Sequence, residues 1–159
     1  MLTQGSTAPD FALEDQTRQV IRLSDYRGRK HVVVAFHPFA FTPVCTRQMQ
    51  GYEQAKSTLD GLDAVVLGIS TDTGPAKAAW AAAMSAGSAG QGLSIHLLAD
   101  HYPHGQVATA YGVLGPYGFA ERAVFIVDKA GTIVWSKMHG MDDDPDLSEV
   151  LRVLGQLTT

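Results

Sequence analysis

The chain has 159 residues, of which 45% are hydrophobic and 18% charged, and this length predicts a single folded domain over residues 1–159. Twelve basic and sixteen acidic residues give a formal net charge of −4 without a basic stripe, which argues against binding to nucleic acid. No apolar run approaches the roughly 18 residues that span a bilayer, and the first residues show no secretory leader, so we expect a cytoplasmic protein without a membrane partner.

The first part of the chain predicts a hairpin followed by a buried strand. Residues 11–13 and 20–23 read as short strands that are joined by a polar turn. The uninterrupted β-branched and aromatic run at residues 31–36 is typical of a strand that is buried on both faces. Pro38 ends this strand, because proline lacks the N–H donor that a strand ladder needs.

A loop and a helix are predicted next. Residues 38–44 form the loop, and the helix is expected to begin at Pro43 or Cys45, since proline suits a first helical turn. The buried face of this helix is predicted from apolar residues that recur every three or four positions, namely Met49, Tyr52, Ala55 and Leu59.

The remaining sequence alternates strands and helices and then adds a second hairpin. Further strands are predicted at residues 64–69, 93–98, 122–127 and 132–137. Further helices are predicted at residues 74–85, 104–111 and 147–157, with a loop of small residues at 86–92. Because helices separate the buried strands, the pattern predicts an α/β class, a thioredoxin-like fold with a central mixed β-sheet flanked by helices and an N-terminal β-hairpin.

Cys45 is the one cysteine of the chain, so an internal disulfide, a Cys-x-x-Cys pair and a Cys-rich zinc site are all impossible. A lone cysteine is most often a small buried hydrophobic residue. Cys45, however, lies where a loop becomes a helix, and the partial positive charge of a helix N-terminus favours a thiolate. Thr42 lies three residues earlier, so its hydroxyl could reach the sulfur, and Pro38 could shield the pocket from water.

Arg122 is the candidate cation that would accompany such a thiolate. It stands immediately before an apolar strand, and arginine keeps its charge at every physiological pH. From its spacing alone, an arginine at the end of a strand that points to water is the simpler alternative.

The segment Pro38-Phe-Ala-Phe-Thr42-Pro-Val-Cys45 resembles the Pro-x-x-x-Thr-x-x-Cys active-site signature of the peroxiredoxins. Ala8-Pro-Asp-Phe11 resembles the usual opening of that family, and residues 122–128 resemble its catalytic-arginine strand. Residues 100–113 are similar to the one-cysteine alkyl hydroperoxide reductase E type. The resemblance covers nearly the whole chain.

Three positions near the signature bear on the subgroup. His37 stands where many members have Phe or Tyr, and Ala40 replaces a frequent Asp. Gln48 occupies a position, three after the cysteine, where Glu or Gln is usual.

The resemblance implies a thiol-dependent peroxidase that needs no metal, haem or other cofactor. Cys45 would attack one peroxide oxygen and become a sulfenic acid, while Arg122 stabilises the thiolate and the charge along the O–O bond. Thr42 would hydrogen-bond the peroxide, together with the backbone amides of the first helical turn, and Pro38 would exclude water.

Two residues of the resemblance have secondary roles. Gln48 is expected to orient Arg122. His37 is expected to contact the cysteine or the reductant, and a neutral surface histidine is a nearly equal alternative.

The resemblance also implies partners. The substrate is hydrogen peroxide or an organic hydroperoxide, and an external thiol must recycle the enzyme: a low-molecular-weight thiol, thioredoxin or a glutaredoxin-like protein. A homodimer or higher homo-oligomer is expected. Phe39, Phe41 and Pro43 make the loop apolar, which suits burial against a partner or a pocket for an alkyl hydroperoxide.

Two other functions compete with the enzyme. A peroxide sensor would share the oxidation of Cys45 without efficient turnover. A thioredoxin-like chaperone or structural module would leave Cys45 inert, which the combination of Pro38, Thr42, Cys45 and Arg122 disfavours.

No metal site is predicted. His101 and His104 form the only close histidine pair, and no further ligand has a suitable spacing. The acidic residues 142–146 lack the spaced ligands of a calcium loop and are expected to complement the positive N-terminus of the last helix.

Overall fold

In the computed structural model, which describes residues 1–85 and 92–157, a five-stranded sheet carries the chain's helices on its two faces. The strands are β1 (Ala12–Glu14), β2 (Val20–Arg22), β3 (His31–Phe36), β4 (Ala64–Ser70), β5 (His96–Ala99), β6 (Ala123–Val127) and β7 (Ile133–Met138). The helices are α1 (Pro43–Gln54), α2 (Lys56–Gly61), α3 (Gly74–Ser85), α4 (Gln106–Ala110) and α5 (Leu147–Gln156), with a 3-10 helix at Leu23–Tyr26.

The sheet is mixed, as the sequence predicts. Its order is β5-β4-β3-β6-β7, in which β3 pairs in parallel with β4 and antiparallel with β6. The strands β1 and β2 form a separate antiparallel hairpin. The turn between β6 and β7 depends on Gly131, whose φ of 87° is a left-handed conformation that favours glycine. The predicted thioredoxin-like architecture is confirmed.

Burial on both faces of β3 divides the core in two. Val32, Val34 and Phe36 pack with the hairpin side of the sheet, whereas Val33 and Ala35 face the other side with α1, α3 and α5. Successive side chains of a strand point to opposite faces, which explains why the whole run is apolar. Cys45 belongs to the second of these two clusters.

The predicted long helix after the loop is two helices. It breaks at Ala55, whose ψ of 9° leaves the helical range and whose N–H is shared between the carbonyls of Gly51 and Tyr52. The new direction of α2 still brings Leu59 into the core, where it is buried with Met49.

The predicted strand at residues 93–98 starts too early. In the structure β5 begins only at His96, because Glu53 of α1 takes the amide hydrogens that precede it. Its carboxylate accepts hydrogen bonds from Ser94 N at 2.9 Å, Ser94 Oγ at 2.8 Å and Ile95 N at 3.1 Å. This side chain fastens α1 to the entrance of β5.

Two helix boundaries also differ from the prediction or refine it. The helix that was expected at residues 104–111 begins at Gln106, because Gly105 has a left-handed φ of 65°. At the N-terminus of α5, the Asp146 carboxylate accepts a hydrogen bond from Ser148 N at 3.0 Å, which agrees with the predicted role of the acidic loop.

The predicted loop at residues 86–92 lies outside the described residues except for Gly92. None of the helices described in residues 1–85 and 92–157 combines the length and apolar character needed to cross a membrane.

Replacing Glu53 tests the link between α1 and β5. The variant Glu53→Ala should lower the free energy of unfolding by about 2 kcal/mol, because it removes hydrogen bonds to a charged acceptor. Chemical denaturation measures this change, and Gln54→Ala, an exposed neighbour at the end of α1, serves as the matched control. Equal stability of the two variants would show that the link contributes little.

Candidate active site

Cys45 lies in the first turn of α1, just beyond the loop that leaves the end of β3. Thr42 precedes the helix with extended dihedrals (φ −75°, ψ 149°), and Pro43 is the first helical residue. The thiol of Cys45 is fully buried, with 0% of its surface exposed. The predicted helix start is therefore confirmed, and it places the sulfur where backbone N–H groups lack helical acceptors.

The loop before Cys45 is held in a constrained conformation. Pro38 is buried and Phe41 has a φ of 69°, which is unusual for a residue other than glycine. The N–H of Ala40 donates to a carboxylate oxygen of Asp72 at 2.8 Å, and Ser70 Oγ donates to the same oxygen at 2.6 Å. Asp72 thus anchors the loop to the end of β4.

The hydroxyl of Thr42 points back into the loop. Its Oγ1 donates to the carbonyl oxygen of Phe39 at 2.9 Å. This bond uses the hydroxyl proton, so the lone pairs of Oγ1 remain available to accept a hydrogen bond. In this conformation Thr42 is an acceptor at the site, and not a donor to the sulfur.

Arg122 is buried, with 3% exposure, immediately before β6. Its Nη1 donates to Gln48 Oε1 at 3.0 Å, and its Nε and Nη2 donate to the carbonyl oxygen of Met141 at 3.2 and 3.0 Å. These bonds use three of the five N–H groups of a guanidinium. Gln48 follows Cys45 by three residues, so both lie on one face of α1, and the Gln48 side chain accepts a hydrogen bond from the guanidinium.

His37 is fully buried and does not lie at the surface. Its Nε2 is 2.8 Å from the Nζ of Lys77, which is itself 0% exposed on α3. Burial, followed by the positive charges of Lys77 and Arg122, holds the pKa of His37 well below its usual value. The alternative of a neutral surface histidine is wrong with respect to position.

Sequence reasoning missed Lys77 and Asp72. The available signal for Lys77 is helical spacing, because it falls in the buried stripe of α3 with Trp80, Ala81 and Met84. A lysine is unusual at a buried position of this kind. For Asp72 the sequence offers no comparable signal, since a carboxylate just after a strand is common.

The histidine pair for which no metal site is predicted is His101 and His104. His104 Nε2 lies within hydrogen-bond distance of the carbonyl oxygen of Gly118, and its ring is 6.3 Å from that of His101. Within the residues that the structure describes, no group of three or more His, Cys, Asp or Glu side chains is arranged to hold a metal ion.

Comparisons with known proteins agree with this geometry. The model of the AhpC/TSA family matches residues 4–136 of the chain. The chain is 37% identical to alkyl hydroperoxide reductase E of Mycobacterium tuberculosis over 139 residues, which cover 87% of this chain and 86% of that protein. It is 38% identical to the putative peroxiredoxin bcp of Haemophilus influenzae, with coverage of 96% and 98%.

A solved structure of a related protein has the same fold. Peroxidoxin BcpB from Mycobacterium tuberculosis superposes with a TM-score of 0.85 at 27% identity, and all of both chains is covered. The fold and the buried thiol define a thioredoxin-like, cysteine-dependent redox protein. The chain belongs to the AhpC/TSA family and is a peroxiredoxin, a thiol-dependent peroxidase whose single cysteine fits the one-cysteine type.

Removing the guanidinium tests Arg122. The variant Arg122→Ala should slow the reaction with hydrogen peroxide by about a hundredfold, because a preorganised donor to a developing charge is lost. Stopped-flow kinetics measure the rate constant, and circular dichroism checks that the fold is retained.

Arg47→Ala is the matched control for this experiment. Arg47 is also close to Cys45 in sequence, but it is exposed and pairs with Asp144 at 3.2 Å. We expect Arg47→Ala to react at the rate of the wild type. An Arg122→Ala variant that keeps the wild-type rate would mean that another cation serves the site.

Proposed function

We propose that Cys45 is the residue that reduces the peroxide, with Arg122, Thr42 and Pro38 as the other principal parts of its site. The observation that carries this proposal is the bond from Arg122 to Gln48, one helical turn after Cys45. It brings a buried permanent cation to the helix face that carries the buried thiol. No other buried arginine side chain is found in the described ranges 1–85 and 92–157.

The proposed chemical step is a displacement at oxygen. The sulfur of the Cys45 thiolate forms a bond to one peroxide oxygen while the O–O bond breaks. The other oxygen leaves with the electron pair of that bond and takes up a proton, so the products are a sulfenic acid and water or an alcohol. Hydrogen peroxide and organic hydroperoxides both satisfy this balance.

The remaining residues bind and orient the peroxide. The free N–H groups of Arg122 would stabilise the thiolate and the departing oxygen. The Oγ1 of Thr42, whose own proton is bonded to Phe39, would accept the hydrogen of the peroxide O–H. The amides of Val44 and Cys45 would donate to the peroxide oxygens, and Pro38 would keep water out.

Recycling requires a second molecule. The sequence contains no other cysteine, so an external thiol must condense with the sulfenic acid and release water. A second thiol then attacks the mixed disulfide, restores the Cys45 thiol and leaves as a disulfide with the first. A low-molecular-weight thiol, thioredoxin and a glutaredoxin-like protein are the chemical classes of donor to test.

Turnover separates this enzyme from a peroxide sensor. Wild-type protein should consume many equivalents of peroxide with a suitable thiol donor, whereas Cys45→Ser should consume none, because a hydroxyl is not ionised at neutral pH. Peroxide consumption and mass spectrometry of a trapped sulfenic acid measure both steps. Rapid oxidation of Cys45 that no donor reverses would favour the sensor instead.

We further propose that the protein works as a homodimer, formed through an aromatic surface beside the active-site loop. This surface comprises Phe39, Phe41, Tyr117 and Phe119, in which the rings of Phe39 and Phe119 lie 4.7 Å apart. Phe41 is 56% exposed and Tyr117 85% exposed. Exposed apolar patches of this kind mark protein contacts, and a second copy is the occupant that the peroxiredoxin class supports.

Charges placed on the aromatic surface test the dimer. Both Phe41→Glu and Tyr117→Glu should convert the protein to a monomer, because a buried unpaired carboxylate opposes association. Sedimentation analysis measures the mass, and Val20→Glu is the control, since Val20 is 50% exposed but lies on the separate β1–β2 hairpin. If both glutamate variants kept the oligomeric state of the wild type, the dimer contact would not be formed by this aromatic surface.

We propose a cytoplasmic location and one domain over residues 1–159. The location is supported by the chemistry, because recycling by thiols needs a reducing compartment. The single domain is supported by the continuous family match over residues 4–136.

A further inference from the structure

Lys77 is a buried lysine in the middle of an otherwise apolar helix face. It is 0% exposed, although an ammonium group loses much hydration energy when it leaves water. Its neighbours on this face of α3 are Trp80, Ala81 and Met84. The free-energy cost of burying this ammonium group calls for an explanation, and the peroxide reaction proposed above gives Lys77 no part.

The surroundings of Lys77 connect it to the active site from two sides. Its Nζ lies 2.8 Å from His37 Nε2, and His37 is the residue directly before Pro38. The Nζ is also 5.4 Å from the centre of the Trp80 ring. Trp80 Nε1 in turn donates to Thr46 Oγ1 at 3.1 Å, which fastens α3 to α1 at the residue after Cys45.

The charges of this cluster are unevenly distributed. Burial lowers the pKa of Lys77 to about 7, against the opposing attraction of Asp72 and Cys45. Burial and the two cations hold the pKa of His37 far lower, so the proton of the pair resides on Lys77. An ammonium group only donates, so Nε2 of a neutral His37 accepts this hydrogen bond.

We propose that Lys77 is a positioning residue for the peroxide reaction: its amine, fixed by His37, directs a second positive charge toward the Cys45 sulfur and the departing oxygen. The proposal rests on the proposed role of Cys45. A positive charge that is attracted to the Cys45 thiolate stabilises that thiolate by the same free energy, since the interaction is mutual. Arg122 cannot lose its charge, whereas Lys77 can, which makes the second charge dependent on pH.

The sign of this dependence follows from the groups around Lys77. Burial and the neighbouring cations keep the pKa of His37 well below its usual value, so His37 is neutral when Lys77 titrates. The groups that attract the amine are the Asp72 carboxylate and the Cys45 sulfur. Lys77 carries its charge below its pKa and loses it as the pH rises through about 7. The assistance that it gives to Cys45 should therefore fade on the alkaline side.

Two neutral variants separate charge from packing. Lys77→Met keeps the length of the side chain without its charge, and Lys77→Gln keeps a hydrogen-bonding group for His37. Lys56→Met is the matched control, because it removes the same charge from an exposed lysine that pairs with Asp60. Each protein is mixed with hydrogen peroxide over a range of pH, and the ultraviolet absorbance of the thiolate is titrated in parallel.

At a pH one unit below 7, both Lys77 variants should react with peroxide about tenfold more slowly than wild type. Tenfold is the factor that corresponds to one pKa unit of electrostatic stabilisation of the thiolate. The difference should shrink above the pKa of Lys77, and the midpoint of thiolate formation should move to higher pH. Lys56→Met should behave as wild type. A folded Lys77→Gln with the wild-type rate and thiolate titration at every pH would overturn the proposal, and Lys77→Gln decides the question if Lys77→Met does not fold.

Failure of the wider function gives a different result. If wild-type protein reacted with peroxide no faster than free cysteine, or if Cys45→Ser reacted as fast as wild type, the role of Cys45 would be lost and that of Lys77 with it. If wild-type protein reacted fast with peroxide and the Lys77 variants reacted at the same rate, only the proposed role of Lys77 would be disproved.

Discussion

The site depends on a cation that is withdrawn from water and cannot lose its charge. Arg122 is buried, and the acceptors of its three hydrogen bonds, the Gln48 side chain and the Met141 carbonyl, are neutral. A buried charge without a counterion is costly. Under the proposed function, the Cys45 sulfur, which shares a face of α1 with Gln48, would supply that counterion as a thiolate.

The sheet makes this arrangement possible at long sequence distance. Arg122 precedes β6, which is antiparallel to β3, so the beginning of β6 lies beside the end of β3 that leads to Cys45. The pairing of Phe36 with Ala123 is the contact that closes this distance. The parallel neighbour β4 ends beside β3 as well, and Asp72 just beyond it holds the loop. Three strand ends therefore converge on one thiol.

The sequence allowed the principal residues to be predicted because they follow local rules and a family signature. The start of α1 at Pro43 is set by proline chemistry, and the burial of β3 by its composition. One of the errors comes from a contact that joins distant residues. The late start of β5 depends on Glu53, which lies 41 residues before Ser94, and no local pattern announces that bond. Lys77 was missed for the opposite reason: its helical spacing is visible in the sequence, but lysine is rarely buried, so its identity gives no sign of burial.

Burial of the sulfur also separates the two halves of the reaction. A peroxide needs room for two oxygens beside a sulfur that is 0% exposed, whereas a recycling thiol must bring a larger sulfur-bearing group to the same atom. Under the proposed function, attack by a thiol would therefore need more room beside the Cys45 sulfur than attack on a peroxide needs. The contacts of this loop include the hydrogen bonds of Ala40 and Thr42 and the packing of the Phe39 ring on Phe119. Phe41 in this loop has a left-handed φ of 69°, which is a costly conformation for a residue other than glycine. If Cys45 reacts as proposed, the loop that covers its sulfur therefore faces both the peroxide and the external reductant, because the sequence has no second cysteine to take over the later step.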